Sequence, residues 1–368
     1  MLPTDQIIAE AVEKWANAHP THIEERKERK IKLRYKLTFI LICALVTILA
    51  AGYSLTIGDY PIGFIESYDI LFKHLINGSD GTIEDHIIVD LRLPQIMTAI
   101  AVGMGLAVAG AVMQGVLRNP LADPYTVGLS SGAGFGATIA IVCGMSTTAG
   151  RYGLVLNAFL FSLIPLGFIF FMSRVRRTTP TMLIMAGLAV MYIFDAMSTL
   201  LRLWAHPMEL AAIFRWQVGS LGSATWPDIA LILSIVIIGT IVISFMSGKL
   251  NVIVTGDENA QSLGVDADTL RLLSLLVIAL MTASVVSFTG LIGFVGLVSP
   301  HIVRLFIGCD YHTLIPGSAV FGMGLVVIAD LIGRTIISPV VIQVGVIMAF
   351  MGGPLLIWLI LKKGGSVL

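Results

Sequence analysis

The chain has 368 residues, and its 23 Lys and Arg balance its 23 Asp and Glu, so the formal net charge is zero. Hydrophobic residues make up 56% of the sequence and charged residues only 12%, against roughly 25% in soluble domains. This composition excludes an ordinary soluble domain, argues against nucleic-acid binding, and indicates an integral membrane protein that lies in a lipid bilayer.

A polar segment at the start of the chain ends in a basic cluster, EERKERKIKLRYK at 24–36. A basic cluster directly before an apolar run marks a cytoplasmic flank. The segment is too long and too acidic at its front for a cleaved signal peptide, so we expect the first span to be retained. The sequence therefore predicts a cytoplasmic arm over 1–35, amphipathic or disordered, followed by a single transmembrane domain over 36–363.

Apolar runs long enough to cross a bilayer recur through the rest of the chain. Ten spans are predicted near residues 36–57, 92–117, 123–145, 152–173, 180–204, 226–247, 270–290, 291–307, 313–333 and 341–361. Most Lys and Arg residues fall on the inner segments, which places both termini in the cytoplasm. Any repeat that related spans two to five with spans seven to ten would be inverted, although the two halves show no convincing sequence similarity.

Two patterns between the second and third spans concern packing and turns. RNPLADPY at 118–125 contains two prolines and predicts a tight inner turn. Gly128, Gly132 and Gly136 repeat every four residues, which lets another helix approach closely. Plain helix packing and a glycine-lined translocation path both remain open for this glycine face.

Residues 248–270 form a polar island, GKLNVIVTGDENAQSLGVDADTL, in an otherwise apolar chain. Gly256 is predicted to start a short helix over 257–263 whose first turn carries acidic residues, which the helix dipole favours. Gly264 is the predicted C-terminal stop. Ala260 and Leu263 are expected on one side, suited to a groove of a soluble partner. On pattern alone, an idle cytoplasmic loop is the alternative.

Asp195 lies inside the apolar run TMLIMAGLAVMYIFDAMSTLLRLW, where an acid must face protein or water. It could contact substrate or a proton, or it could hydrogen-bond within the bundle to Ser198 or Thr199. The first possibility makes a proton-coupled secondary transporter the alternative function. A structural membrane scaffold is a third possibility, which the helix-breaking turns and glycine faces disfavour.

Several classes of site are missing from the sequence. Cys43, Cys143 and Cys309 are odd in number and far apart, so we expect buried, inert thiols rather than disulfides or metal ligands. The sequence contains no HExxH or clustered His and Cys, no nucleophile with an identifiable base, and no P-loop. We therefore expect no metal, no bound cofactor and no ATP hydrolysis by this chain.

Three stretches closely resemble the FecCD-type permeases, the membrane subunits of binding-protein-dependent ABC importers for iron siderophores, haem and cobalamin. They are LRLPQIMTAIAVGMGLAVAGAVMQGVLRNPLADPYTVGLSSGAG at 91–134, TGDENAQSLGV at 255–265 and GFVGLVSPHIVRLFIGCDYHTLIPG at 293–317. The resemblance runs from about residue 36 to 363. It implies an all-α, ten-helix subunit of a prokaryotic plasma (inner) membrane, which works as a homodimer with the pathway at the dimer interface.

The same resemblance implies two cytoplasmic ATP-binding cassette subunits that hold ATP and Mg, and an extracytoplasmic binding protein that delivers a metal chelate. The polar island then corresponds to the coupling helix that docks on the ATPase, with Gly256, Asp257, Glu258, Ala260, Leu263 and Gly264. The cytoplasmic gate corresponds to Asn119, Leu121 and Thr181. Arg92 and Arg334 correspond to outward arginines that meet acidic residues of the binding protein.

Two features depart from the family pattern. Gln95 stands where relatives often have a second basic residue after LRLP, and 341–343 reads Val-Ile-Gln instead of an acidic-Leu-Pro entry to the last span. Docking geometry on that side is therefore open. Asp195 has no counterpart, and the choice among siderophore, haem and corrinoid is open too.

Overall fold

A computed structural model describes residues 22–58, 60–144, 150–175 and 179–363. These residues form helices and connecting turns, with no strand in the described ranges. The helices are α1 His22–Thr56, α2 Phe64–Asn77, α3 Ile83–His86, α4 Leu93–Val116, α5 Leu129–Val142, α6 Gly150–Val175, α7 Pro180–Trp204, α8 Pro207–Val218, α9 Trp226–Ile253, α10 Asp257–Ser262, α11 Ala267–Thr289, α12 Val295–Ile307, α13 Tyr311–Thr335 and α14 Val344–Lys363. A π-helical turn, Ile87–Arg92, joins α3 to α4, and a 3₁₀ turn, Pro124–Val127, precedes α5.

Ten helical runs in the described part of the chain are apolar enough to be membrane helices. Seven helical runs in the described part of the chain are long enough to cross a bilayer, and three shorter apolar helices accompany them. The long runs lie in α1, in α3 with α4, and in α6, α7, α9, α11 and α13, while the shorter helices are α5, α12 and α14. The predicted all-α architecture with ten membrane helices is confirmed.

Helix boundaries differ from those of the predicted spans. α1 begins at His22, so residues 22–35 of the predicted arm are helical. Residues 58–91, which separate the first two predicted spans, contain α2 and the start of the second span at Ile83. Residues 205–225, which separate predicted spans five and six, contain α8. The division into an arm and a permease domain stays a prediction.

Two spans are shorter than the apolar pattern predicts because the backbone turns before each of them. Span three becomes α-helical only at Leu129, after Gly128 at a φ of 88°. Span eight begins at Val295, after Phe294 at a φ of 67°. The predicted spans include these turns because the turns adjoin apolar runs, but left-handed residues cannot continue a right-handed helix.

α4 is the centre of the bundle, and α9, α11, α12 and α13 pack around it. Glycines allow the closest approaches. A Cβ added at Gly103 would come within 2.2 Å of the carbonyl oxygen of Gly322 in α13, and one at Gly110 within 1.9 Å of that of Gly296 in α12. Backbone-to-backbone contact of this kind is how membrane helices gain packing energy without a hydrophobic driving force.

The glycine face of α5 packs in the same way. A Cβ added at Gly132 would lie 2.4 Å from the carbonyl oxygen of Phe161, and one at Gly136 would lie 2.4 Å from that of Asn157, both in α6. The packing interpretation of this motif is confirmed for these two positions. The expectation of buried thiols is wrong, since Cys43 is only half-buried and Cys143 and Cys309 are exposed. The last two lie just beyond the ends of α5 and α12, where the chain reaches the surface.

Candidate functional site

The predicted helix in the polar island is present as α10, at the end of the bundle where α4 finishes; we call this the α10 end. Gly256 precedes the helix with a φ of 118°. At the other terminus Gly264 has a φ of 76°, its N–H donates to Gln261 O at 3.0 Å, and Val265 N–H donates to Ala260 O at 2.8 Å. This pair of bonds is a Schellman motif, which confirms Gly264 as the C-terminal stop.

The expectation that Ala260 and Leu263 share one side of α10 is wrong. Ala260 is fully buried, whereas Leu263 is 67% exposed. The Schellman bond from Val265 N–H to Ala260 O turns the chain at the end of α10 before α11 begins. Leu263 is then left projecting from the surface as the apolar side chain available to a partner.

Asp257, the first residue of α10, lies between two arginines. Its Oδ1 atom is 2.7 Å from Nη2 of Arg271 and 3.3 Å from Nη2 of Arg118. Arg271 belongs to the first turns of α11 and its side chain is fully buried, whereas Arg118 follows α4 and its side chain is 35% exposed. The carboxylate of Asp257 is 39% exposed, so a partly solvated acid pairs with a buried and a half-buried cation.

Arg271 also reaches the end of α4. Its Nε–H donates to the carbonyl oxygen of Val116 at 3.2 Å, and its Nη1 lies 3.3 Å from Oδ1 of Asp268. The carbonyl of Val116 is among the last of α4 and has no partner within that helix. Arg271 therefore joins α10, α11 and the C terminus of α4 through one side chain.

Asp266 caps α11 just beyond α10. Its carboxylate accepts hydrogen bonds from the Thr269 hydroxyl at 2.6 Å and from the N–H groups of Asp268 and Thr269. The hydrogen bond from the Thr269 hydroxyl contributes most to lowering the pKa of Asp266 below its usual value. All these donors favour the ionised carboxylate. The cap fixes the start of the helix that carries Arg271.

Two of the predicted gate residues lie in one turn directly after α4. Oδ1 of Asn119 accepts a hydrogen bond from the N–H of Leu121 at 2.9 Å, which stabilises the turn. Leu121 is 45% exposed. Thr181 is exposed at the start of α7, and it makes no hydrogen bond to Asn119 or Leu121 in the described part of the chain. The gate role of all three stays a prediction.

The two predicted docking arginines lie at the opposite end of the bundle and are less exposed than expected. Arg92 is 5% exposed and donates to the carbonyl oxygens of Leu55 at 3.0 Å and Tyr60 at 2.6 Å. Arg334 is 9% exposed; it donates to Ile57 O at 2.9 Å and to the Ser54 hydroxyl. The two side chains turn inward because the last turn of α1 has unsatisfied carbonyls that guanidinium groups can fill.

Arg334 also forms an ion pair with Asp330, its Nη2 lying 2.9 Å from Oδ2, as the spacing of four residues predicts. The Gln95 side chain donates to the other carboxylate oxygen of Asp330 at 2.7 Å. Gln95, Arg92 and Arg334 line a pocket of about 300 Å³ together with Val341. An acidic side chain that entered this pocket would meet both arginines, so docking here stays a prediction.

Asp195 is exposed on α7. The hydroxyl of Thr199 donates to the backbone carbonyl of Asp195 at 2.8 Å, not to its carboxylate. Ser198 is buried at 4% exposure. The structure therefore does not show the expected hydrogen bond from Ser198 or Thr199 to this carboxylate, and both explanations of Asp195 stay predictions. An acid exposed at membrane depth is expected to face protein or water.

Sequence reasoning missed Arg118 and Arg271, which it counted only as positive charges on inner segments. One signal was available for Arg271, because a charge just inside an apolar span marks a position with a specific partner. For Arg118 the signal is weaker: it follows the last apolar residue of a span, where most sequences would place glycine. The partner of both, Asp257, was singled out only for its favourable place in a helix dipole.

Comparisons with known proteins agree with this architecture. Residues 43–362 match the FecCD transport family. The chain is 40% identical over 342 residues to a Methanocaldococcus jannaschii protein described as an ABC transporter permease, covering 90% of this chain and 97% of that protein. It is 35% identical over 337 residues to the hemin transport system permease protein HmuU of Yersinia pestis, covering 91% and 97%. A solved metal-chelate type ABC transporter in an inward-facing conformation superposes with a TM-score of 0.78 at 29% identity, covering 88% of this chain and 99% of that one.

Proposed function

The chain belongs to the FecCD transport family, and from that membership we propose that it is the permease subunit of an importer for metal chelates, haem or cobalamin. In this proposal two copies of the chain form the pathway at their interface. Two cytoplasmic ATPase subunits hold ATP and Mg and hydrolyse the ATP, while an extracytoplasmic binding protein delivers the cargo. The assembly lies in a prokaryotic plasma membrane with both termini of the chain in the cytoplasm.

The geometry of α10 is the observation that carries the ATPase partnership. The base of the helix is held by Arg118 and Arg271, while Leu263 at its far end projects with 67% of its surface exposed. An exposed leucine on a short helix fixed at its base is suited to insertion into a groove of a soluble protein. Nucleotide on that protein would supply the differential binding that biases one conformation over another.

The exposure of Asp195 supports the proposal that two copies of the chain pair. A carboxylate exposed at membrane depth is costly in lipid, so the α7 face that carries it is best covered by protein or by a water-filled path. A homodimer with its pathway along this face provides both. A proton-coupled transporter that used Asp195 would also place the acid near water, but the family relationship does not favour it.

The test replaces Leu263 with Asp in the complete complex and measures retention of the ATPase subunits during purification. We expect the variant to lose the ATPase, because a charge would enter an apolar groove. Val254→Asp is the matched control, since Val254 is also an exposed aliphatic residue close to α10. Full retention of the ATPase by the Leu263→Asp complex would overturn the partnership.

The alternative is tested separately with vesicles that contain the complete complex. Uptake that stops when the ATPase is catalytically dead, and that continues with Asp195→Asn, rejects proton coupling through this acid. Uptake that persists without ATP hydrolysis but fails with Asp195→Asn would establish proton coupling and contradict the proposed function.

A further inference from the structure

The backbone of Arg118 has a conformation that usually requires glycine. Its φ is 48°, and apart from Phe294 every other residue with positive φ in the described part of the chain is glycine. Arg118 ends α4 in a Schellman motif: its own N–H donates to Gly115 O at 3.2 Å, and the N–H of Asn119 donates to Gln114 O at 3.0 Å. Gly264 holds the same position after α10.

A Cβ in the left-handed region crowds the neighbouring carbonyl oxygen, so glycine is the residue that fits there without strain. The chain uses glycine at the end of α10 and tolerates the strain at the end of α4. The arginine side chain at this position makes contacts that glycine could not make. In the structure its guanidinium reaches Asp257 and lies 3.6 Å from the position that a Cβ on Gly256 would take.

Arg271 holds Asp257 from the opposite side. Its side chain is fully buried, and it binds the carboxylate at 2.7 Å and the end of α4 at Val116 O. A fully buried guanidinium needs such partners, since an unpaired charge in the interior is costly. The Asp257 carboxylate is thus connected through Arg271 to Val116, the last residue of α4. It also pairs directly with Arg118, which begins the turn after α4.

That turn carries two of the predicted gate residues. Asn119 follows Arg118 directly, and its side chain holds the N–H of Leu121. A shift of α10 that moves the Asp257 carboxylate relative to α4 must either break the ion pair with Arg118 or carry Arg118 with it. Because Arg118 is already in a strained backbone conformation, a pull on its side chain acts directly on the φ and ψ angles that set the direction of residues 119–121.

We propose that Arg118 and Arg271 form a two-sided clamp on Asp257 that transmits displacement of α10 to the gate turn at 119–122. This inference rests on the proposed function, in which a nucleotide-driven ATPase displaces α10. Arg118 is the positioning residue that moves the turn, and Arg271 keeps α10 in register with α4 and α11.

The experiment follows the gate turn directly and needs no knowledge of the cargo. Cys43, Cys143 and Cys309 are changed to Ser, and Leu121→Cys gives each copy of the chain one reporter thiol, in a complete complex in vesicles whose ATPase subunits have their own cysteines replaced. The probe is a polar maleimide applied from the ATPase side, with and without a non-hydrolysable ATP analogue. In this parent complex we expect nucleotide to change the labelling rate by about fivefold or more, a typical size for coupling between sites.

Arg118→Gly and Asp257→Asn each break the clamp. Arg118→Gly also removes the backbone strain, so the protein should be as stable as the parent or more stable. In the Arg118→Gly complex we expect the ATPase to stay bound, and in both variants we expect the nucleotide response of the ATPase-bound complex to fall below about twofold. Arg118→Lys keeps the charge and should retain most of the response. Lys249→Gln removes another exposed positive charge near the α10 end and should leave the response at the parent value.

The outcomes separate the two proposals. A parent-sized response in both Arg118→Gly and Asp257→Asn, with the ATPase bound, overturns the clamp and leaves the proposed function intact. Loss of the ATPase from the Arg118→Gly complex also overturns the clamp, because Arg118 would then act as a partner contact. A parent complex that binds no ATPase, or whose labelling ignores nucleotide, overturns the proposed function and the clamp together.

Discussion

The hydroxyl of Tyr125 makes two hydrogen bonds to the backbone of Ile292: it donates to the carbonyl oxygen at 3.0 Å and accepts from the N–H at 3.2 Å. Tyr125 lies in the turn before α5, and Ile292 lies in the break before α12. Both residues border a small cavity beside Leu106, in the middle of α4. The Tyr125 side chain therefore links the turn before α5 to the break before α12.

Tyr125→Phe should destabilise the protein. Removing the hydroxyl leaves the N–H and carbonyl of Ile292, a residue 1% exposed, without the partner they have in the structure. We expect a loss of about 1 to 3 kcal/mol, the usual cost of a buried polar group left unpaired. The measurement is the thermal unfolding midpoint of the purified protein. Tyr152→Phe is the control, because Tyr152 is 59% exposed, and equal shifts in the two variants would contradict the prediction.

Gln95→Arg should speed docking of the binding protein. The change adds a cation to the pocket that Arg92 and Arg334 already line, next to the Asp330 carboxylate. We expect the association rate to rise severalfold at low ionic strength, since added charge complementarity acts mainly on encounter. The gain should vanish at high salt because exposed charges are screened over about 10 Å at 0.1 M.

Stopped-flow binding across a salt series measures this effect. Gln95→Leu is the neutral control and should show no gain at any salt concentration. A faster association that is independent of salt would exclude electrostatic docking at this pocket.

Asp195→Cys should react with a polar, membrane-impermeant thiol reagent. The proposed pathway along α7 would expose this position to water. Leu160→Cys on α6 is the control, because Leu160 is 53% exposed and we expect it to face lipid. Residue 160 lies about as far from the start of α6 as residue 195 lies from the end of α7. Both are measured with the three native cysteines changed to Ser. Equal labelling of residues 195 and 160, or labelling of residue 160 alone, would contradict a pathway along α7.

Asp266→Asn should reduce stability in a manner that depends on pH. Hydrogen bonds from Thr269 and Asp268 hold the pKa of Asp266 below its usual value, so the ionised cap stabilises the folded state. Its contribution is complete above the unfolded pKa, ~3.9, and is lost as the pH falls through the lower folded pKa. Unfolding midpoints from pH 6 downwards should therefore converge for the two proteins at the acidic end. A constant difference would show that the carboxylate charge is not responsible.

Local patterns in the sequence were enough to predict the ten membrane helices and the bounds of α10. Hydropathy depends on runs of neighbouring residues, and the start and end of α10 depend on Gly256 and Gly264, whose backbone freedom is a property of the residue itself. The ion pair of Asp330 with Arg334 was predictable for the same reason, since four residues is one helical turn.

Only the tertiary structure decided which way the side chains face and which distant groups they meet. Ala260 is buried whereas Leu263 is exposed, and Arg92 and Arg334 turn inward because the end of α1 offers them carbonyl oxygens. Arg271 reaches the end of α4 across 155 residues of sequence, and Tyr125 meets Ile292 across 167. No local pattern encodes such contacts, because they depend on which helices the whole bundle brings together.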